Sequence, residues 1–166
     1  MKNASLIFRS LIILLILTNC SNDDDIGDPT IITEESLIYL HDNNTKRWQI
    51  TSYYSSYKDL ELNIEFTDCV SDDIYTFYVN DTNSDTEFGS EVCYNNFPNE
   101  ASSASYNYNS EFQELYLNFS RGGYSSQDAY YEFFIAKCIF LTEEKMIFTH
   151  GGEDNSGVGL VFEKVN

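Results

Sequence analysis

The chain has 166 residues, with 9 Lys and Arg against 27 Asp and Glu for a formal charge of −18, and it carries one Trp, 13 Tyr and 12 Phe. That length fits one ordinary domain. The charge excludes a nucleic-acid binder, because phosphate backbones demand a clustered basic surface, and a 42% hydrophobic content with two prolines and eight glycines excludes disorder and low-complexity repeats.

At the N-terminus, Lys2 and Arg9 precede an unbroken apolar run from Leu11 to Leu17. This is the charged n-region and short h-region of an export signal. A helix needs about 20 apolar residues to cross a bilayer, so the run is too short to anchor the chain by itself. It ends in Leu17-Thr18-Asn19-Cys20, which resembles the lipobox of bacterial lipoproteins, with Asn19 in place of the usual small residue. The resemblance implies cleavage after residue 19 and acylation of Cys20. Ser21-Asn22-Asp23-Asp24-Asp25 follows, too hydrophilic to pack and similar to the signal that carries Bacteroidetes lipoproteins to the outer leaflet of the outer membrane. Residues 20–32 thus read as a lipidated acidic tether, with Pro29 opposing helix before it, and residues 33–166 as the folded domain. Removing residues 1–19 takes away two cations and no acids, which brings the charge to −20. Such a domain stands off anionic lipid on its acyl chains.

Thr33-Glu34-Glu35-Ser36 predicts a short helix with Thr33 at its N-cap and acids at the positive end of its dipole; Leu37, Leu40 and His41 share one face, and Asn43-Asn44 ends it. The period then changes from 3.6 to 2. Leu60, Leu62, Ile64 and Phe66 alternate with polar residues and read as the cleanest strand. Tyr75 to Val79, Leu115 to Phe119 and Met146 to Phe148 alternate in the same way, and weaker strands are expected at 47–54, 87–93, 103–109, 130–137 and 158–163. Turns are expected at Asn80-Asp81, Arg121-Gly122-Gly123 and Gly151 to Gly157. About nine short strands with short connections and few helices predict an all-β antiparallel barrel or sandwich, and closure into a barrel removes the exposed edges that make open sheets aggregate.

Of the four cysteines, Cys20 is assigned to lipid, leaving at most one bridge in an exported domain. Cys69 and Cys93 flank the 75–79 strand, and joining them closes a loop of about 25 residues, a constraint of roughly 3 kcal/mol in the chain-entropy model. Cys138, beside Ile139 and Phe140, reads as a small buried hydrophobe.

Trp48-Gln49-Ile50 opening the first strand, Cys69 followed by Asp72-Asp73 and an aromatic strand, Cys93, a hairpin with Tyr106 on its first strand, and a last hairpin around Met146 to Phe148 together resemble the lipocalin-like domain of Bacteroidetes lipoproteins over about residues 45–163. Two departures stand out, Tyr106 where the family usually has Trp and Asn80-Asp81 where it has a turn Gly. The resemblance implies an up-and-down barrel of about eight strands, with a lid or plug from the N-terminal helix, and a mostly unassigned function.

Catalytic patterns are sparse. His41 and His150 have no Ser or Cys nucleophile at motif spacing. Cys69, Cys93 and Cys138 lack the paired spacing of a zinc site, and no cofactor is called for. Glu153-Asp154-Asn155 offers hard oxygens in a Gly-rich loop but not at EF-hand spacing, and reads as a hydrated turn. Asp72-Asp73 reads as a turn cap. Tyrosine-rich strands are the better lead, with Trp48, Phe77, Tyr106 and Tyr108 as candidates to line a barrel cavity and stack on a small or oligomeric ligand. The expectation is a non-enzymatic, surface-exposed, lipid-anchored binding protein. The rival is an accessory module of a cell-envelope complex whose filled core leaves its outer face to meet a protein. A glycan-processing enzyme would require two inward carboxylates facing each other across a cleft.

Overall fold

A computed structural model describes residues 31–166. The segment expected to be an export signal, Cys20 and the acidic run expected to be a tether lie outside the described residues.

Among the described residues nine strands make one antiparallel sheet: β1 (Thr45–Ser56), β2 (Glu61–Leu62), β3 (Ile74–Tyr78), β4 (Asp81–Glu87), β5 (Asn99–Asn109), β6 (Glu114–Tyr124), β7 (Ala129–Leu141), β8 (Lys145–Thr149) and β9 (Gly159–Lys164). Eight run in the order β1-β3-β4-β5-β6-β7-β8-β9, and β9 pairs back onto β1, with Ile50 opposite Phe162 and Tyr53 opposite Leu160. The expected lipocalin-like barrel is therefore closed, with the two-residue β2 as an addition to the far half of β1. Alternation drives closure. Leu115, Leu117 and Phe119 of β6 are fully buried while Tyr116, Asn118 and Ser120 between them are half-exposed, and the inward rows of β1, β3, β8 and β9 meet them in one core. Each large apolar side chain buried there contributes roughly 1.5–3 kcal/mol against conformational entropy.

One end of the barrel is plugged from outside. A 3-10 turn (Glu35–Leu37) runs into α1 (Ile38–His41), opened by reciprocal bonds between Thr33 and Ser36 (Thr33 N to Ser36 Oγ, 2.8 Å; Ser36 N to Thr33 Oγ1, 3.3 Å) and ended by Asp42 in the left-handed region. Ile32, Leu40 and His41 are buried against the barrel. This is the helix expected from Thr33 onward.

Four local expectations give way to tertiary context. The alternating stretch from Leu60 to Phe66 is not a long strand: only Glu61–Leu62 pair with β1, and α2 (Ile64–Val70) follows. Asn63 caps it, its Oδ1 accepting from Phe66 N at 3.0 Å, and the buried residues Phe66 and Val70 stand one helical turn apart while Leu62 and Ile64 face solvent. The apolar letters fit both periods over so short a run. Cys69, expected where that strand ends and the connection to the 75–79 strand begins, consequently lies in α2. The strand expected at 87–93 lies earlier, at β4, whose polar sequence hides it; its backbone pairs with β3, and it meets β5 through Asn83 opposite Ser105 and the Ser84 hydroxyl on Ala104 O. Residues 88–98 form a long loop instead. Finally, Arg121-Gly122-Gly123 is not a turn but the last part of β6, paired on both sides with β5 and β7. A Cβ at Gly123 would meet Phe97 at 2.7 Å, and one at Gly122 would collide with Tyr130 O and the Tyr131 ring. The glycines are there so that aromatics can lie on the strand.

Candidate functional site

The four aromatics expected to line a cavity stand at the plugged end and the barrel middle. Trp48 and Phe77 are fully buried, Tyr106 nearly so, and Tyr108 packs beside them. Their polar atoms serve the fold. Trp48 Nε1 donates to Leu40 O (2.9 Å), Tyr108 Oη to Ile32 O (3.2 Å) and Tyr106 Oη to Tyr78 O (3.3 Å). Lys46, buried beneath α1, sets its ammonium 4.7 Å from the Trp48 ring and donates to Tyr39 O and Glu143 O. These residues hold the plug down rather than line an open space. Tyr53, Tyr75, Phe119, Phe134, Phe148 and Phe162 extend the same packing through the interior.

The opposite end is built differently. On β6 the inward row Leu115, Leu117, Phe119 continues to Arg121, which is fully buried. Its Nη2 lies 2.7 Å from Glu100 Oε2 on β5 and 3.3 Å from Asp73 Oδ2 just before β3, and the Phe88 ring stacks 4.6 Å from the guanidinium. Two carboxylates share one guanidinium in a dry space. Burial pushes the Asp73 carboxyl above its usual range, against the opposing pull of the Gly89 N–H and Arg121. Tyr75 donates or accepts at Ser102 Oγ (3.2 Å) beside them, and burial raises its phenol strongly.

The 88–98 loop roofs this cluster, and each attachment is to a residue of it or next to it. Asp73 Oδ1 accepts from Gly89 N (3.0 Å), Asp72 Oδ2 accepts from Glu91 N (3.1 Å) and from Ser90, Glu100 Oε1 accepts from Tyr94 N (2.6 Å), and Tyr94 Oη donates to Arg121 O (3.1 Å). Desolvation alone would raise the Asp72 carboxyl, but the Glu91 and Ser90 N–H groups and the Ser90 hydroxyl together outweigh it and hold the carboxyl below its usual range. The disulfide Cys69–Cys93, Cα atoms 5.1 Å apart, ties the loop to α2. Asp72-Asp73 is thus a loop clamp working across 16 to 19 residues, not a local turn cap. Among the described residues no group of three or more His, Cys, Asp or Glu is placed to hold a metal.

Beside the roof a pocket of about 230 Å³ opens between α2, the disulfide and β7, lined by Asn63, Glu65, Phe66, Cys69, Cys93, Tyr94 and Glu132. Glu132 faces the opposite way from Tyr131 and Phe133, and burial raises its carboxyl above the usual range, partly offset by a hydrogen bond from Tyr130. It also helps to push Tyr53 up to about 12, burial being the main cause. Among the described residues neither Glu65 nor Glu132 has an ion-pair partner. A second, shallower groove of about 400 Å³ lies outside the plugged end, lined by Asn44, Tyr78, Val79, Asn80, Asp81 and Asp85. Neither space is lined by Trp48, Phe77, Tyr106 or Tyr108.

Compared with protein-family models, curated proteins and solved structures, the chain matches none.

The remaining sequence candidates are built into the fold. His41 is buried under the plug, and burial lowers its pKa, while His150 Nδ1 lies 2.7 Å from Ile135 O. Gly152–Asp154 forms a 3-10 turn, after which Asn155 Oδ1 accepts from Thr149 Oγ1 (2.7 Å) and Asp154 Oδ1 from Ser156 N (3.2 Å). Cys138 is a buried free thiol pushed up to about 12 by desolvation, its Sγ against Phe140 O at 3.3 Å. Arg121, Glu100, Tyr94 and Glu132 were not anticipated. Strand parity carried a signal for two of them, since Arg121 continues the inward row of β6 and Glu132 that of Phe134, Ala136 and Cys138.

Proposed function

We propose that the chain is a lipid-anchored module on the outer surface of the outer membrane that works by meeting another protein, without catalysis and without enclosing a small ligand. The observation that carries this reading is the filled interior: the aromatics best suited to stack on a ligand are packed against one another, and their hydroxyl and indole groups are bound to the backbone of the plug and strands. The buried pair Asp73 and Glu100 converges on Arg121 beneath a clamped loop, so these two carboxylates do not face each other across an open cleft. Acylation of Cys20 and display by the Ser21 to Asp25 run rest on the sequence. Ile32 packs at the plugged end, where Tyr108 Oη donates to its carbonyl, and the roofed end with its pocket is the opposite end of the barrel.

Native mass spectrometry of the delipidated domain, purified from its own host after protein cross-linking, tests this. A ligand-free domain mass together with a specific cross-linked protein is expected. A stoichiometric small molecule that survives purification would overturn it. Cys20→Ala should release the protein from membranes, and retention there would refute the anchor.

A further inference from the structure

β7 is longer than the strand that follows it. Its second half, Lys137 to Leu141, pairs with β8, but Ala129 to Ala136 pair only with β6, and among the described residues no strand lies on their other edge. Which backbone groups that edge presents follows from two contacts. Tyr130 O points toward Gly122 of β6, and Ile135 O points away from it, to His150 Nδ1. In an antiparallel ladder the direction alternates, so the N–H and C=O groups of Tyr131 and Phe133 point off the sheet. The side chains on the outer face of this stretch are Tyr131, Phe133 and Ile135, with Phe133 64% exposed. Proteins ordinarily blunt such edges with charge, proline or a bulge. Here the residue between the two free positions is Glu132, and its side chain lines the 230 Å³ pocket with Glu65, Phe66 and Tyr94.

We propose that this edge of β7 is a docking site for an extended segment of a basic partner protein, which adds a strand to β7 and places one Lys or Arg side chain in the pocket beside Glu132 and Glu65. The inference rests on the protein-interaction reading above and names its partner class. Backbone pairing at Tyr131 and Phe133 supplies affinity, and alternate side chains supply specificity. A residue opposite Glu132 in the added strand points to the same face of the sheet as Glu132. Charge complementarity selects the partner. The pocket holds two carboxylates without a paired cation, and the chain carries −18 overall, which favours a basic segment and opposes edge-to-edge pairing with a second copy. The Tyr94 and Phe66 rings suit the alkyl stem and charged head of such a side chain.

Synthetic nine-residue peptides with alternating Val and Thr and a central Lys, Gln or Glu provide the test, by fluorescence anisotropy and amide chemical-shift mapping on the purified domain. The Lys peptide is expected to bind at least tenfold tighter than the Glu peptide, with shifts centred on Tyr131 to Ile135. Backbone N-methylation of the peptide should abolish binding, and Glu132→Gln should reduce the Lys preference several-fold without altering the melting curve adversely. Equal binding of the three peptides, shifts mapping elsewhere, or no binding by any of them would overturn the proposal, as would a dimer that occupies this edge. A peptide failure beside a specific protein cross-link at another face would leave the interaction reading standing and remove only this site.

Discussion

The two ends of the barrel are closed by opposite kinds of chemistry. At the plugged end, a short helix is laid on the core, and Trp48, Tyr106 and Tyr108 each bury an apolar body while handing one donor to a backbone carbonyl. At the roofed end, the core stops at Arg121, and a guanidinium, two carboxylates and the 88–98 loop take over. At the first end every aromatic donor is paired, and His41 Nδ1 is the one buried polar atom of the plug left without a partner among the described residues. The second keeps several orphaned polar atoms, Arg121 Nε and Nη1 among them, and Glu132, which has no ion-pair partner among the described residues, beside a pocket. Buried ionic groups rarely contribute net stability over apolar residues of the same size. The comparison therefore places stability at the plugged end, and the other end is the one that the proposed recognition would use.

The sharpest way to break that contrast is at its charged centre. Arg121→Met leaves Asp73 and Glu100 buried without a cation and should cost about 3–5 kcal/mol. The loss should be greatest near neutral pH and shrink toward pH 4, where the stranded carboxylates take up protons; melting curves at the two pH values would show it. A pH-independent loss would mean that packing, not charge, is the cause. Next is the disulfide. Cys93→Ser should cost about 3 kcal/mol by freeing the closed loop, and hydrogen exchange should rise in residues 88–98 and α2 while the plug stays protected. Equal loosening at both ends would show that the ends are not independent.

Trp48→Phe keeps most of the aromatic volume but leaves Leu40 O without its donor, and should cost about 1–3 kcal/mol. Faster proteolysis within residues 31–44, with the 88–98 loop unchanged, would be its signature. The smallest effect is expected at Glu132. Its folded pKa is raised, so its contribution to stability is present below the ordinary carboxylate pKa and is lost as pH rises through the raised value. Glu132→Gln should therefore match the parent near pH 4 and be slightly more stable than it at pH 7, a difference readable as a small rise in melting temperature.

How much of this was legible in the sequence differs between the two ends. The plug was readable because its signals are local: Thr33 and Ser36 at the start, Leu37, Leu40 and His41 on one face, and Asn43-Asn44 after it. The Cys69–Cys93 pairing was readable because exclusion of Cys20 and Cys138 left one choice. The roofed end was misread at each local step. Gly122-Gly123 carries turn chemistry, yet Tyr131 and Phe97 lie on those glycines and need them within a strand. Leu60 to Phe66 alternates like a strand, yet Asn63 caps a helix there because Phe66 and Val70 find the core one turn apart. β4 has almost no apolar side chain to announce it, and exists because β3 offers it a ladder.

The sequence by itself determined the alternation that rolls the chain into a closed barrel, the helix that stops one end, and the strongly acidic surface. Those properties depend on residue type and on spacings of two to four residues. Only the tertiary structure decided that the aromatics fill the interior, that Arg121 meets Asp73 and Glu100, and that among the described residues no strand pairs along one edge of the first half of β7. These features join positions tens of residues apart, and whether two such side chains meet depends on strand register and loop path, which short-range pattern does not encode.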